Sequence, residues 1–242
     1  MRSKRRIGFR WTAGCVLWLL PGAIGARPGA STQVDFQVQI QLPESHATKE
    51  HAPSAVVWLE PADGKSGVRP ASPGHFTLLQ KNRMFSPHLL VIPVGSVVSF
   101  PNADPFFHNV FSFFNGKRFD LGLYEAGTSK EVTFSREGVS YIFCNIHPEM
   151  SAVILTMSTP LYGVADSSAR VTIRNAPAGE YLLHIWVEGL MQPALDRMTR
   201  RVVVSSDGAN AVVVDARSVP SQPEKHLNKF GRPYDRGSSA PY

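Results

Sequence analysis

The sequence predicts an all-β protein built from β-sandwiches. Between residues 30 and 217 the apolar residues fall in short runs that are separated by Gly, Pro, Asn and Asp. Nothing in this range has the sustained periodicity of a long amphipathic helix. Many short strands with closely spaced turn residues favour a sandwich over helical or parallel-sheet architectures.

The strands can be predicted in order along the chain. Over 34–42 apolar and polar residues alternate with a period of two, which is typical of a half-buried strand. A second strand is predicted over 55–59, before a loop in which Gly and Pro recur. Turn residues then separate short predicted strands at 76–79, 88–93, 96–100, 110–113, 131–134, 140–143 and 152–157. Beyond Pro160, hairpins are predicted from runs at 169–174, 181–187, 201–204 and 211–214, which flank Gly-containing turns.

Residues 1–26 have the composition of a secretory signal peptide. A basic start is followed by an apolar run from Trp11 to Leu20 and then by small residues, with cleavage expected after Gly25 or Ala26. The apolar run is shorter than the ~20 residues that span a bilayer. An uncleaved N-terminal anchor is the alternative. With cleavage the chain is expected to be periplasmic or otherwise exported, with no transmembrane segment.

The positive charge of the chain is concentrated in this leader. Of 25 basic residues five lie within 1–26, so the remainder carries 20 basic against 19 acidic residues. A balance so near zero argues against a polybasic nucleic-acid-binding protein. With 43% apolar and 18% charged residues, the composition also argues against disorder over most of the chain.

Cys144 is the only cysteine outside the leader, because the other one is Cys15. An internal disulfide is therefore excluded for the cleaved chain. An unpaired thiol in an oxidising compartment is expected to be buried, to be paired between chains or to bind a metal as thiolate.

The residues that follow Cys144 favour metal binding over the other two alternatives. Residues 144–150, which we call the ligand loop, read Cys-Asn-Ile-His-Pro-Glu-Met and place a thiolate, an imidazole and a thioether close together after a predicted strand. His108 offers a second imidazole. Two His, one Cys and a weak axial Met are the ligand set of blue-copper electron-transfer sites. Zinc accepts the thiolate and imidazoles but prefers a stronger fourth ligand than a thioether.

The other histidines have no ligand partner at a short spacing. His46 and His51 lie in a polar loop that is interpreted as solvated, and no chemistry is assigned to His75, His88, His184 or His226. The sequence contains neither His-x-His nor His-Cys-His, so the ligands of multicopper clusters are not visible. No nucleophile with a base at a recognisable spacing and no glycine-rich phosphate loop stands out, and the protein is predicted not to be an enzyme.

Aromatic residues surround His108 in the sequence. They are expected mostly to fill the sandwich core, while one or two of them, with Pro148, are the candidates for an apolar rim around the edge of His147. The run comprises Phe106, Phe107, Phe111, Phe113 and Phe114.

The Cys-x2-His-x2-Met loop with Pro after the His resembles the short ligand loop of amicyanin. Four sequence segments are similar to those of exported cupredoxins often labelled methylamine-utilisation proteins: 85–87, 94–95, 119–124 and 146–152. The resemblance implies a Greek-key cupredoxin domain over residues 73–158 that holds one type 1 copper. It also implies that the copper ligands are His108, Cys144, His147 and Met150, and that Asn109 braces the ligand loop near the sulfur.

A second resemblance concerns the outer segments. Residues 173–186 and 55–61 are similar to strands of a prealbumin-like, or carboxypeptidase-regulatory-like, β-sandwich. In one arrangement residues 33–62 and 160–217 form a discontinuous sandwich into which the cupredoxin is inserted. In the other the first strands edge the cupredoxin and a small C-terminal domain stands alone. Residues 218–242, rich in Pro and charge, are interpreted as a disordered tail.

These observations predict an exported mononuclear blue-copper protein that carries single electrons between redox partners such as a cytochrome c or a periplasmic dehydrogenase. The alternative is a periplasmic copper-binding, copper-delivery or copper-sensing protein whose metal is cargo.

Overall fold

The computed structural model describes residues 33–43, 54–64, 68–113, 116–221 and 227–234, and the predicted leader lies outside them. Within these residues the fold is all-β with several sheets, so the predicted fold class is confirmed. The strands are β1 (Gln33–Gln41), β2 (Ala55–Pro61), β3 (His75–Thr77), β4 (Leu79–Lys81), β5 (Met84–Ser86), β6 (Leu89–Pro93), β7 (Ser96–Pro101), β8 (His108–Ser112), β9 (Phe119–Tyr124), β10 (Ser129–Phe134), β11 (Gly138–Phe143), β12 (Ser151–Met157), β13 (Tyr162–Val164), β14 (Arg170–Pro177), β15 (Gly179–Val187), β16 (Arg200–Val204) and β17 (Ala211–Asp215).

Most predicted strands are present, with ends that differ by a few residues. Strands β5, β9 and β13 and a short helix α1 (Gln192–Asp196) were not predicted. Helix α1 is too short for a period to be visible in the sequence. Strand β9 was missed although its apolar residues alternate, because Asp120 and Gly122 are also typical turn residues. In the structure Gly122 has φ +68°, and the pairing of β9 with β8 contains a register shift.

Strands β3 to β12 form what we call the central sandwich. One sheet has the order β10-β7-β3 and the facing sheet the order β6-β12-β11-β8-β9. Their inner faces meet in an apolar core that includes Phe100, Phe134, Ile142 and Ile154. Cys144 and Met150 belong to the same buried cluster, so the ligand loop is built into this core.

The remaining strands form what we call the outer sandwich, with sheets of order β14-β1-β17 and β13-β2-β15-β16. Strand β1 pairs with β14 and β17, and β2 pairs with β13 and β15. Chain segments from before and after the central sandwich therefore share the same sheets. The resemblance of this part to a prealbumin-like module and the exact domain boundaries remain predictions.

A third apolar cluster joins the two sandwiches. Val153, Leu155 and Met157 on one face of β12 pack with Val56 and Trp186 of the outer sandwich. The alternate residues Ala152 and Ile154 face the core of the central sandwich. This double burial explains why β12 has four consecutive apolar residues, 152–155, whereas β1 alternates.

Polar contacts accompany this apolar interface. The indole Nε1 of Trp186 donates to the Tyr141 hydroxyl over 3.3 Å. His88 of the central sandwich lies 2.5 Å from a carboxylate oxygen of Glu188 in the outer one. Among the described residues there is no helix of the length and apolarity needed to cross a membrane.

Candidate metal centre

Two neighbouring strands bring the predicted ligands to one edge of the central sandwich. His108 is the first residue of β8, and Cys144 directly follows β11. The two strands are antiparallel neighbours, with Phe111 opposite Phe143. The start of one strand therefore lies beside the end of the other, and residues far apart in sequence become adjacent.

The ligand loop is closed by its own backbone. The Cys144 amide donates to the Met150 carbonyl over 3.1 Å, and the Met150 amide donates to the His147 carbonyl over 3.0 Å. These bonds turn the chain back within seven residues, so His147 is returned toward Cys144.

Three donor atoms converge at this place. The two Nδ1 atoms of His108 and His147 are 3.1 Å apart. The Cys144 Sγ lies 3.8 Å from Nδ1 of His108 and 3.5 Å from Nδ1 of His147. Among the residues that the structure describes, this is the group of three or more His, Cys or acidic side chains spaced to hold a metal ion.

These separations suit one shared ion. Two imidazole nitrogens at ~2.0 Å from a metal are about 3.3–3.5 Å apart at tetrahedral or trigonal angles, and a thiolate sulfur at ~2.3 Å is about 3.5–3.7 Å from each. Met150 is fully buried in the same cluster as Cys144. A thiolate, two imidazoles and a nearby thioether are soft and borderline donors, which suit copper. The role of Met150 as the axial ligand remains a prediction.

A buried carboxylate that sequence reasoning missed holds His108. Asp104 Oδ2 lies 2.8 Å from His108 Nε2, and Asp104 is only 5% exposed. With Nε2 engaged, Nδ1 is the nitrogen that faces His147 and Cys144. A carboxylate behind a ligating imidazole fixes its tautomer and ring orientation.

Asp104 is itself fixed by the β4–β5 hairpin. Its two oxygens accept the backbone amides of Asn82 and Arg83 at 2.6 and 3.0 Å. Both residues have φ near +55°, as a tight two-residue hairpin turn requires. The sequence signal was weak, since an Asp before a Pro in a loop is also an ordinary turn residue.

The electrostatics of the cluster favour neutral imidazoles. Burial, with His108 as the next cause, lowers the pKa of His147 to about 4. Burial also lowers the pKa of His108, although Asp104 opposes this. Neither imidazole needs to lose a proton near neutral pH before it can bind a metal. Burial raises the pKa of the Cys144 thiol, while the backbone amides of Asn109, Ile146 and His147 oppose it by hydrogen bonding to the sulfur.

Asn109 lies beside Cys144, and its role in bracing the ligand loop stays a prediction. Its backbone amide hydrogen bonds to the Cys144 sulfur, and its side-chain Nδ2 donates to Asp120 Oδ1 over 2.7 Å. Asp120 also accepts the Gly122 amide and pairs with Lys229. The sulfur is therefore connected through Asn109 to an anchored carboxylate.

The phenylalanines around His108 are divided between buried and exposed positions. Phe111 is buried, whereas Phe107 and Phe113 are 49% and 41% exposed, and Phe114 lies outside the described residues. The ring of Phe106 lies 5.3 Å from that of His108 and 5.6 Å from that of His147, measured between centroids. The half-buried His147 is followed by the exposed Pro148, and the apolar rim around His147 stays a prediction.

Of the remaining histidines, those that the structure describes do not belong to this cluster. His46, His51 and His226 lie outside the described residues. His88 pairs with Glu188, His184 stacks on Trp58, and His75 is exposed on β3.

No protein-family profile matches the chain, and no curated protein matches it. A solved purple cupredoxin from Nitrosopumilus maritimus is 30% identical, with a TM-score of 0.30, over 34% of this chain and 96% of that one. A reduced Cu(I) amicyanin variant is 20% identical, with a TM-score of 0.32, over 36% of this chain and 86% of that one. A Cu-containing nitrite reductase from Thermus scotoductus SA-01 is 26% identical, with a TM-score of 0.34, over 38% of this chain and 24% of that one.

At TM-scores this low, the likenesses do not by themselves define the centre. The candidate centre is defined by the strands and side chains of this chain itself. A two-sheet β-sandwich with one His at a strand start and a Cys-x2-His-x2-Met loop between two strands is a cupredoxin-like arrangement, and it occupies part of this chain. The cluster of His108, Cys144 and His147, with Met150 buried beside it, is consistent with a type 1 copper site.

Proposed function

We propose that this protein holds one copper ion in a type 1 site and carries single electrons between redox partners. The observation that carries the proposal is the convergence of the His108, Cys144 and His147 donor atoms within 4.8 Å of one another, with His108 and Cys144 buried. A copper ion bound there would alternate between Cu(II) and Cu(I).

The surrounding residues support retention of the metal rather than its release. His108 and Cys144 have no exposed surface. The ligand loop, which runs from Cys144 to Met150 before β12, is closed by backbone hydrogen bonds. Asp104 holds the His108 ring in place through a further hydrogen bond. A pre-ordered pocket of this kind needs little rearrangement when the charge of its ion changes, which favours electron transfer over delivery of copper as cargo.

His147 is the side chain through which electrons would pass to a partner. It is half-buried and lies beside the exposed Pro148 and the ring of Phe106. The same proposal places the protein outside the cytoplasm, with partners such as a cytochrome c or a periplasmic dehydrogenase, and assigns it no substrate turnover. The signal-like leader and the near-neutral remainder of the sequence support this part.

The visible spectrum tests the proposal. The purified protein should bind one Cu(II), become strongly coloured through thiolate charge transfer and bleach reversibly with ascorbate. Cys144→Ser should abolish the colour, because a hydroxyl is a harder and far less acidic ligand. In protein that keeps the leader, Cys15→Ser, which removes the other cysteine of the sequence, should leave the colour unchanged. An intense band that survives Cys144→Ser, or a protein that takes up zinc but not copper, would contradict the proposal.

A further inference from the structure

Residues 227–234 lie against the ligand loop, although they belong to the stretch interpreted as a disordered tail. We call them the C-terminal strap. The strap has a compact turn of its own: the Asn228 amide donates to the Arg232 carbonyl, the Gly231 amide donates to the Asn228 carbonyl, and Gly231 has φ +72°. The Asn228 side chain accepts the amides of Phe230 and Arg232.

The strap makes its first contact with the backbone of the cysteine itself. The Tyr234 hydroxyl donates to the Cys144 carbonyl over 2.9 Å. The Cys144 amide, on the other side of the same residue, is bound to the Met150 carbonyl. Both peptide groups of Cys144 are therefore held, one of them by the strap.

The second and third contacts come from Lys229. Its backbone amide donates to Asn145 Oδ1 over 3.0 Å, next to Cys144 in the loop. Its ammonium lies 2.9 Å from Asp120 Oδ2. Asp120 in turn accepts the side chain of Asn109, whose backbone amide binds the Cys144 sulfur.

We infer that the strap is a positioning device for the thiolate ligand, with Tyr234 and Lys229 as its positioning residues. Tyr234 fixes the peptide group of Cys144, and Lys229 secures the Asp120–Asn109 link to its sulfur. The consequence for copper rests on the proposed function, but the effect on Cys144 does not. In the metal-free protein the strap keeps the thiol protected by limiting local opening of the ligand loop.

The decisive comparison uses two tyrosine variants. Tyr234→Phe removes the hydrogen bond to Cys144. Tyr181→Phe removes a bond of the same kind, from a hydroxyl to the Pro177 carbonyl at 2.9 Å, in the outer sandwich. Reaction of metal-free Cys144 with a thiol reagent should be about fivefold faster in Tyr234→Phe than in Tyr181→Phe, the factor that one ordinary hydrogen bond contributes to an equilibrium. The double variant Tyr234→Phe/Lys229→Met should react faster still.

Two further readouts separate positioning from a general loss of stability. Amide hydrogen exchange in Tyr234→Phe should accelerate within residues 144–150 and not across the outer sandwich. With Cu(II) bound, the thiolate charge-transfer band should shift in Tyr234→Phe but not in Tyr181→Phe. Equal thiol reactivity, equal bands or uniformly faster exchange would overturn the positioning role. If the protein bound no copper, the proposed function would fail while the thiol and exchange measurements would still decide the role of the strap.

Discussion

The two imidazoles of the centre are held in different ways. His108 is fully buried, with Nε2 bound to Asp104, so its ring is anchored from behind. His147 is half-buried on the ligand loop, with the ring of Phe106 beside it and Pro148 at the surface. The first residue is suited to fixing the ion, and the second to linking it with the exterior.

Asp104→Asn tests the anchor. An amide places an NH2 group where the carboxylate accepts the Arg83 amide and the His108 ring, so the imidazole loses its support. Copper affinity should fall by about tenfold to a hundredfold, as is usual for the partners of ligating histidines. Asp166→Asn is the matched control, since exposed Asp166 accepts the Arg170 amide in the outer sandwich. An unchanged copper affinity in a competition titration of Asp104→Asn would contradict the assigned role.

Met150→Leu separates tuning of the ion from its binding. A thioether is a weak ligand, so copper and its charge-transfer band should be retained while the reduction potential rises. The rise is expected because the oxidised ion loses a donor. His108→Ala should instead weaken binding itself. Redox titration of the two variants checks this, and unchanged spectrum and potential in Met150→Leu would mean that the axial ligand is another residue.

At the scale of the elements, β12 and β15 connect the two sandwiches. Val153 and Leu155 meet Trp186 across the interface, and the buried Trp186 indole reaches Tyr141 of β11. Strand β11 leads directly to Cys144. The outer sandwich therefore packs against the sheet whose strands β11 and β12 flank the ligand loop.

The His88–Glu188 pair gives this interface a pH dependence. The hydrogen bond that His88 donates to the Glu188 carboxylate raises the pKa of His88 above its ordinary 6.5. Burial acts to raise the pKa of Glu188, but His88 lowers it below 4.5 overall. The contribution of His88 to stability is thus complete below about pH 6.5 and is lost as pH rises through its raised pKa. The contribution of Glu188 is complete above about pH 4.5 and is lost as pH falls through its lowered pKa.

Thermal unfolding from pH 6 to pH 9 measures this dependence. His88→Gln should unfold at a temperature that falls less with rising pH than that of the wild-type protein, because the imidazole that pairs with Glu188 is gone. The effect should be small, since both groups are partly exposed. His75→Gln removes an exposed histidine of β3 and should keep the wild-type slope. A wild-type slope in His88→Gln would show that the pair does not stabilise the interface.

At the scale of the whole molecule, the charge of the chain and the surface around His147 decide how a redox partner would approach the candidate metal centre. Without the predicted leader the charge is close to zero, so long-range steering of a partner should be weak. Electron exchange should therefore depend little on ionic strength and should be governed by the surface around His147.

Pro148→Glu tests this surface. A carboxylate at the rim should slow electron exchange with a redox partner several-fold, because it must be desolvated on docking, while the visible spectrum stays the same. Val213→Glu is the control, since Val213 is 53% exposed on β17 in the outer sandwich. Stopped-flow rates measure the difference. Equal slowing by both substitutions would place the electron exit on another face.

The sequence alone determined the class of fold and the type of donors. Strand periodicity and turn residues depend on local backbone preferences, so they were readable, and the all-β class is confirmed. Cys144, His147 and Met150 lie in a single short loop, so their spacing is visible in the sequence. With the upstream imidazole of His108 they make a ligand set that few metals other than copper prefer.

Only the tertiary structure decided what supports those donors. Asp104 looks like any turn residue until the β4–β5 hairpin and His108 are folded around it. The stretch 218–242, which contains the strap, reads as a disordered tail because it is rich in Pro and charge. The strap nevertheless makes hydrogen bonds to Cys144 and Asn145, more than 80 residues away. Strand patterns report which face of a segment is buried, but not which distant segment covers it. For that reason the sequence left two arrangements of the outer strands open, and the folded chain shows β1 and β2 in the same sheets as the C-terminal strands.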